Sequence, residues 1–199
     1  MAATPPTRAR MSAAERREQL LDVTKAIVGE QGFHAVSIEA VARRAGITRP
    51  IVYDHFNDLG GLLTAMVERE SVRALGQLTA VLPSQLAEGA DPRDGLLTAF
   101  RGFLEAVRAD PVTWRLVLMP PEGAPAVLRE QITRGRDAVV AVLAEFVRPG
   151  LDSPDPPVTA RMLSALSDEA ARMMLTDPRE YPIERLMGHA EWLLGQLQA

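Results

Sequence analysis

Apolar positions along this chain recur at three- and four-residue spacing almost throughout, and nowhere do they alternate with period two. The spacing predicts an all-α fold of about nine helices. Ser12 opens the first, with Glu15 at the capping-box distance, and Leu20, Val23 and Ile27 make its stripe before it stops near Gln31-Gly32. Phe33 is expected to pack back on the bundle. Two short helices follow, opened by Ser37 and Thr48 and separated by Gly46, a residue that turns left-handed at little cost. Asp58 caps a fourth helix to about Leu82, and Gly60 and Gly61 weaken its first turn by roughly 1 kcal/mol each against alanine.

Pro83 ends the fourth helix, and Asp91 caps a fifth to about Ala109, with Leu96, Phe100, Phe103, Leu104 and Val107 on one face. Asp110-Pro111 starts a short sixth bearing Trp114, Val117 and Leu118, which the proline-rich stretch 120–125 breaks. The seventh, from about Ala126 to Val147, includes Leu128, Ile132, Val139, Val142, Leu143 and Phe146. Residues 149–157 read as the clearest loop. An eighth helix then carries Met162, Leu163, Leu166, Ala170, Met173 and Met174 and stops at Asp177-Pro178; a ninth carries Ile183, Leu186, Met187, Ala190, Leu194 and Leu197.

Residues 37–56 carry the most chemistry. Ile38, Val41 and Ala42 share one face of the second helix, and Pro50 sits in the first turn of the third, where a missing N–H costs little. Val52 and Phe56, four apart, point to the core, so Arg49, Tyr53 and His55 point elsewhere. This is the pattern of a helix-turn-helix whose second helix offers polar and aromatic groups to a DNA groove. Arg49 can reach a phosphate or pair with guanine, and Ser37 and Arg44 bracket the second helix where they can clamp the backbone.

Ala45-Gly46-Ile47-Thr48, then Val52-Tyr53-Asp54-His55-Phe56, then Leu62-Leu63 resembles the signature of the tetracycline-repressor (TetR) family. The resemblance covers roughly residues 20–65. It implies an N-terminal domain that binds operator DNA as a homodimer and a C-terminal domain that binds a small effector. Carried onto this chain, the DNA-contacting positions it implies are Ser37, Arg44, Thr48, Arg49, Pro50, Tyr53 and His55. Pro50 stands where many relatives have glycine or alanine, and Leu59 replaces a basic residue common near the start of the fourth helix. The expected organisation is an N-terminal arm (1–11), a DNA-binding domain (12–57) and an effector-binding and dimerisation domain (58–199).

For the larger domain, Met66, Phe100, Phe103, Trp114 and Met119 are candidates to line an effector cavity between helices, against the plainer reading of ordinary core. Few charges share their faces, so a largely apolar effector is expected, with Arg101, Glu105 or Arg115 available for a polar end. The two last stripes, with Met162, Leu166, Met173, Leu186, Ala190 and Leu194, are expected to pair with a second copy as a four-helix interface. Such a dimer would read a palindromic operator with half-sites about 34 Å apart.

Composition sharpens this picture. Hydrophobic residues make up 47% of the 199, enough for a substantial core. The net charge is −4, yet residues 1–56 hold eight basic against six acidic residues, so the helix-turn-helix is the basic part of an acidic chain. With no cysteine and three scattered histidines, the chain offers no thiolate site and no histidine metal motif, and no cofactor is expected. It has neither an apolar span of about 20 residues nor a signal-peptide core, which favours the cytoplasm. Two other readings compete: an enzyme in an all-helical fold, for which no nucleophile–base pair or phosphate loop is evident, and a helical interaction protein that does not bind DNA.

Overall fold

Ser12 closes the expected capping box: its hydroxyl accepts from the Glu15 amide at 3.2 Å and its own amide donates to the Glu15 carboxylate at 2.7 Å. From there a computed structural model describes residues 11–81, 91–120, 126–151 and 153–196. Among these the regular structure is helical: α1 (Ala13–Gln31), a 3-10 turn (Phe33–Ala35), α2 (Ile38–Ala45), α3 (Arg49–Phe56), α4 (Leu59–Val81), α5 (Pro92–Ala109), α6 (Pro111–Leu118), α7 (Ala126–Gly150), α8 (Pro156–Thr176) and α9 (Ile183–Gln196). The arm at 1–10, the α4 stop at Pro83, the break at 121–125, the side chains of Leu128 and Phe146, and Leu197 lie outside the described residues.

The chain divides into two compact units, Met1–Met66 and Val67–Ala199. The division falls inside α4, not at residue 57. The reason is burial: Leu62, Ala65 and Met66 are enclosed, so the first turns of α4 complete the core of the smaller unit. That core holds Leu20, Ile27, Val41, Val52 and Phe56 as expected. Phe33 is only half-buried. Gly32, at φ 85°, turns the chain into the 3-10 turn, and Val36 is the residue buried after it. On α1 the enclosed stripe is Leu20, Leu21, Thr24, Ile27 and Val28, with Val23 half-buried. Thr24 is tolerated there because its hydroxyl donates to the Leu20 carbonyl at 2.8 Å.

In the larger unit Phe103, Leu104, Val107, Trp114, Leu118, Met174 and Leu186 form the main apolar cluster, drawn from α5, α6, α8 and α9. A second cluster joins Val140, Leu143, Ala144 and Val147 of α7 to Ala160 of α8. The loop expected at 149–157 is shorter than its prolines suggest. α7 continues to Gly150, and Pro156 and Pro157 open α8 behind the Asp155 cap, which accepts from the Val158 amide at 3.2 Å. Proline in a first turn lacks only an N–H that has no partner there.

Candidate nucleic-acid interface and effector cavity

Gly46 makes the turn between α2 and α3. It is left-handed (φ 67°, ψ 35°), and the Ile47 amide donates to the Ala42 carbonyl at 3.0 Å. α3 then buries Val52 and Phe56, and the helical repeat leaves Tyr53 47% exposed. Thr48, Arg49 and Pro50 are exposed at the start of α3, and His55 is half-buried with its ring 6.1 Å from that of Phe56. Ser37 caps α2 by accepting from the Ala40 amide at 3.1 Å. Thr48 occupies the cap position of α3 with extended backbone, but its hydroxyl makes no capping bond, contrary to expectation.

Two of the three arginines of this segment, Arg44 and Arg49, are held by carboxylates. Arg44 donates through both terminal nitrogens to Glu30 of α1, at 2.6 and 2.5 Å. Arg49 donates to Glu39 of α2 at 2.6 Å. Each hydrogen bond keeps its carboxyl below the ordinary carboxylate range. Exposed pairs of this kind exchange partners readily, so both guanidiniums can be handed to phosphate.

The exit from α3 is unusual. Asn57 has φ 64° and ψ −49°, and the Asp58 amide donates to the Phe56 carbonyl at 2.8 Å across it, a three-residue turn. Asp58 accepts from the Gly61 amide at 2.7 Å, the expected cap of α4. A β-carbon on residue 61 would collide with the Phe56 carbonyl oxygen, so Gly61 is required by close backbone approach. Its sequence cost to the helix is the visible half of that requirement.

Within the larger unit a cavity of about 980 Å³ lies among α4, α5, α6, α7, α8 and α9. That is near the upper end of the roughly 300–1,000 Å³ range of small-molecule sites. Phe100, Phe103 and Trp114 line it, the last two edge to face at 5.1 Å between centroids. Met66 and Met119 do not. Met66 is enclosed in the smaller unit, and Met119 is exposed past the end of α6. Arg101, Glu105 and Arg115 also lie off the lining; Arg115 donates to the Leu175 carbonyl at 3.0 Å. The polar lining comes instead from Ser71, Arg136 and Asp168 among others, with Arg136 donating to Asp168 at 2.7 Å.

Two polar bonds tie α6 to α4. The buried Thr113 hydroxyl donates to the Glu70 carboxylate, and the Trp114 indole N–H donates to the Gln77 amide oxygen at 2.9 Å. Glu70 is 1% exposed and also accepts from Arg69 and Arg73. One glutamate among the polar positions of a long amphipathic helix gives no sign of this in sequence.

Residues 20–66 match the model of the bacterial regulatory proteins, tetR family. The transcriptional regulator BetI of Serratia proteamaculans is 31% identical over 156 residues, spanning 77% of each chain. The chain belongs to the TetR family. The transcriptional activator FasR of Mycolicibacterium smegmatis is 25% identical over 178 residues, 88% of this chain and 78% of that one. Two solved structures share the fold of this TetR-family chain. A transcriptional regulator from Rhodococcus sp. Rha1 has a TM-score of 0.73 at 21% identity, covering 91% of this chain and 95% of its own. A transcriptional regulator from Saccharomonospora viridis in complex with choline has a TM-score of 0.69 at 20% identity, covering 92% and 96%. As a member of the TetR family the protein is a transcriptional regulator with a DNA-binding domain, not an enzyme.

The six positions expected at a dimer face all line the cavity and differ in exposure. Met162 and Leu166 of α8 are 62% and 55% exposed. Leu186 and Leu194 are buried within the protomer, and Met173 and Ala190 are half-buried against the cavity. The two leucines therefore belong to the protomer's own packing, because α9 turns them inward; Trp192, 55% exposed and stacked on His189 at 5.3 Å, is the large apolar group α9 leaves outside. Among the described residues no group of His, Cys, Asp and Glu could hold a metal ion, and no helix is long and apolar enough to cross a membrane.

Proposed function

We propose that the protein is a homodimeric, ligand-responsive repressor in the cytoplasm, holding a palindromic operator and released from it by a small, largely apolar effector. The supporting observation is the cavity: α4, which begins in the DNA-binding unit, also supplies cavity wall, and α6 is tied to it through Glu70 and Gln77. An effector against Trp114 that favours one arrangement of α6 thereby favours one state of α4. It shifts the DNA-binding equilibrium only by its difference in affinity for the two states. Ser37, Arg44 and Arg49 hold phosphates, while Arg49 and Tyr53 read bases. Met162, Leu166 and Trp192 are the exposed apolar groups that a second copy covers.

The choline complex of the Saccharomonospora protein supports small-molecule binding in this fold. FasR, by its name an activator, favours a second reading in which the same binding event activates transcription. The test has two stages. A palindrome recovered from a random DNA pool supplies the operator, and a promoter fusion decides the sign. Effector candidates are then titrated into a Trp192→Phe background. A true effector changes Trp114 fluorescence and lowers operator affinity, and operator DNA lowers effector affinity by the same factor. A Trp114 signal with unchanged operator affinity removes the switching role.

A further inference from the structure

Asp168 of α8 is the least exposed charged side chain on the cavity lining. It is 17% exposed, against 40% for Arg136, 59% for Glu169 and 58% for Arg185. Arg136 of α7 donates to it from Nε at 3.1 Å and from Nη2 at 2.7 Å, and both bonds end on the same oxygen, Oδ2. Oδ1 accepts no hydrogen bond from the described residues, yet the protein does not enclose it, unlike the Ser71 hydroxyl. An ionised carboxylate only accepts, at about four lone-pair sites, so Oδ1 keeps an accepting capacity that Arg136 does not use.

Groups that stay wet select little, because water competes for them. Glu169 and Arg185 are of that kind, and each has an opposite partner, Arg172 at 2.8 Å and Glu180 at 2.5 Å. A carboxylate that is mostly buried gives up less water, and a donor brought to it makes a charge-assisted bond, roughly twice as strong as a neutral one. The lining from Phe100, Phe103, Leu118 and Met173 is apolar, and the Trp114 N–H is spent on Gln77. Asp168 stands one turn before Ala171 on the same face of α8, and Ala171 packs in one cluster with Phe103 and Trp114. One turn rises about 5 Å, so one small molecule can reach both the carboxylate and the aromatic wall.

We infer that Asp168 selects the effector: the molecule carries an N–H or O–H donor at one end, which Oδ1 accepts, and an apolar body that lies against Phe103 and Trp114. Arg136 is the positioning residue, holding the carboxylate by Oδ2 and turning Oδ1 to the ligand. The inference rests on the reading of the cavity as the effector site and narrows it. An ether or a quaternary ammonium end gains no hydrogen bond from Asp168, and a carboxylate end is repelled by it.

The test uses the full chain carrying Trp192→Phe, with Trp114 fluorescence reporting binding from within the cavity. Two matched pairs separate donor from charge: decylammonium against decyltrimethylammonium, both cations, and decanol against decyl methyl ether, both neutral. In at least one pair the donor-bearing member is expected to bind about tenfold tighter or more, the ratio a hydrogen bond to a charged group supplies. Which pair shows it tells an N–H from an O–H donor. Asp168→Ala is expected to abolish that advantage and to leave butylbenzene unchanged. Asp168→Asn keeps the shape and gives a second check. Arg136 only donates, so it keeps the amide oxygen and leaves the NH2, itself a donor, where Oδ1 stood; the preference for donors is expected to be lost or reversed. A donor advantage retained in either folded variant overturns the role of Asp168. If butylbenzene binds and neither pair shows a preference in the parent, this inference alone falls. If no probe changes Trp114 fluorescence, the cavity reading falls and takes this inference with it.

Discussion

Arg49 at the start of α3 donates to Glu39 in the first turn of α2 at 2.6 Å, so the guanidinium at the N-terminal end of α3 is held by a carboxylate of its own domain. If Arg49 contacts DNA as proposed, DNA takes it from Glu39. Replacing Glu39 by Gln removes the competitor and one repelling charge. Random-sequence duplex should then bind more tightly, and discrimination for the operator should narrow. Anisotropy titrations at several salt concentrations check this. Unchanged non-specific affinity means that the pair does not compete with phosphate.

Tyr53 stands outside the core while its neighbour Val52 is fully enclosed. Tyr53→Ala should therefore fold normally and lose about 1–3 kcal/mol of operator binding, the range for one base-pair contact. Equal operator affinity in a folded variant removes Tyr53 from the interface.

Gly60 and Gly61 look alike in sequence but differ in space. A β-carbon at 61 meets the Phe56 carbonyl, whereas one at 60 meets the movable Asp58 side chain at 3.3 Å. Gly61→Ala should cost about 1–3 kcal/mol as overpacking. Gly60→Ala should be neutral or gain up to about 1 kcal/mol in helix propensity. Urea unfolding of the two variants separates them, and equal effects refute the close approach.

Assembly can now be probed without unfolding the protomer. Met162→Glu and Leu166→Glu alter exposed positions, so each should yield folded monomers. Leu186→Asp should lose the fold, since it buries an unpaired charge in the main apolar cluster. Sedimentation with circular dichroism distinguishes these outcomes. An intact dimer from Met162→Glu and Leu166→Glu together places the interface elsewhere.

Acid should weaken the DNA-binding unit in a defined direction. The Arg44 hydrogen bond lowers the Glu30 carboxyl in the folded chain, so its contribution is present above the unfolded pKa and lost as pH falls through the folded one. The stability difference between the parent and Glu30→Gln should exist near neutral pH and vanish well below the ordinary carboxylate range. Both residues are exposed, so the difference is small. A difference that persists in acid rules out this pair as its source.

Much of this architecture was legible in the chain because its causes are local. Helical spacing, the caps at Ser12, Ser37, Asp58, Asp91 and Asp110, and the glycine at 46 depend on residues within a turn of each other. The outward register of Tyr53 followed from Val52 and Phe56 by the same arithmetic. What tertiary structure alone decided depends on residues far apart. Whether an apolar stripe faces its own protomer or solvent is a matter of how α8 and α9 are rotated, which turned Leu186 and Leu194 inward and left Met162 and Leu166 outside. Periodicity reports that a stripe exists and carries no information about what covers it. The buried Glu70 finds Thr113 43 residues away, and the Ser71 hydroxyl, one position on, finds no partner among the described residues. A polar residue in a helix looks the same in sequence whether it meets water, an ion-pair network or a binding site, because its neighbours in space are chosen by the packing of other helices.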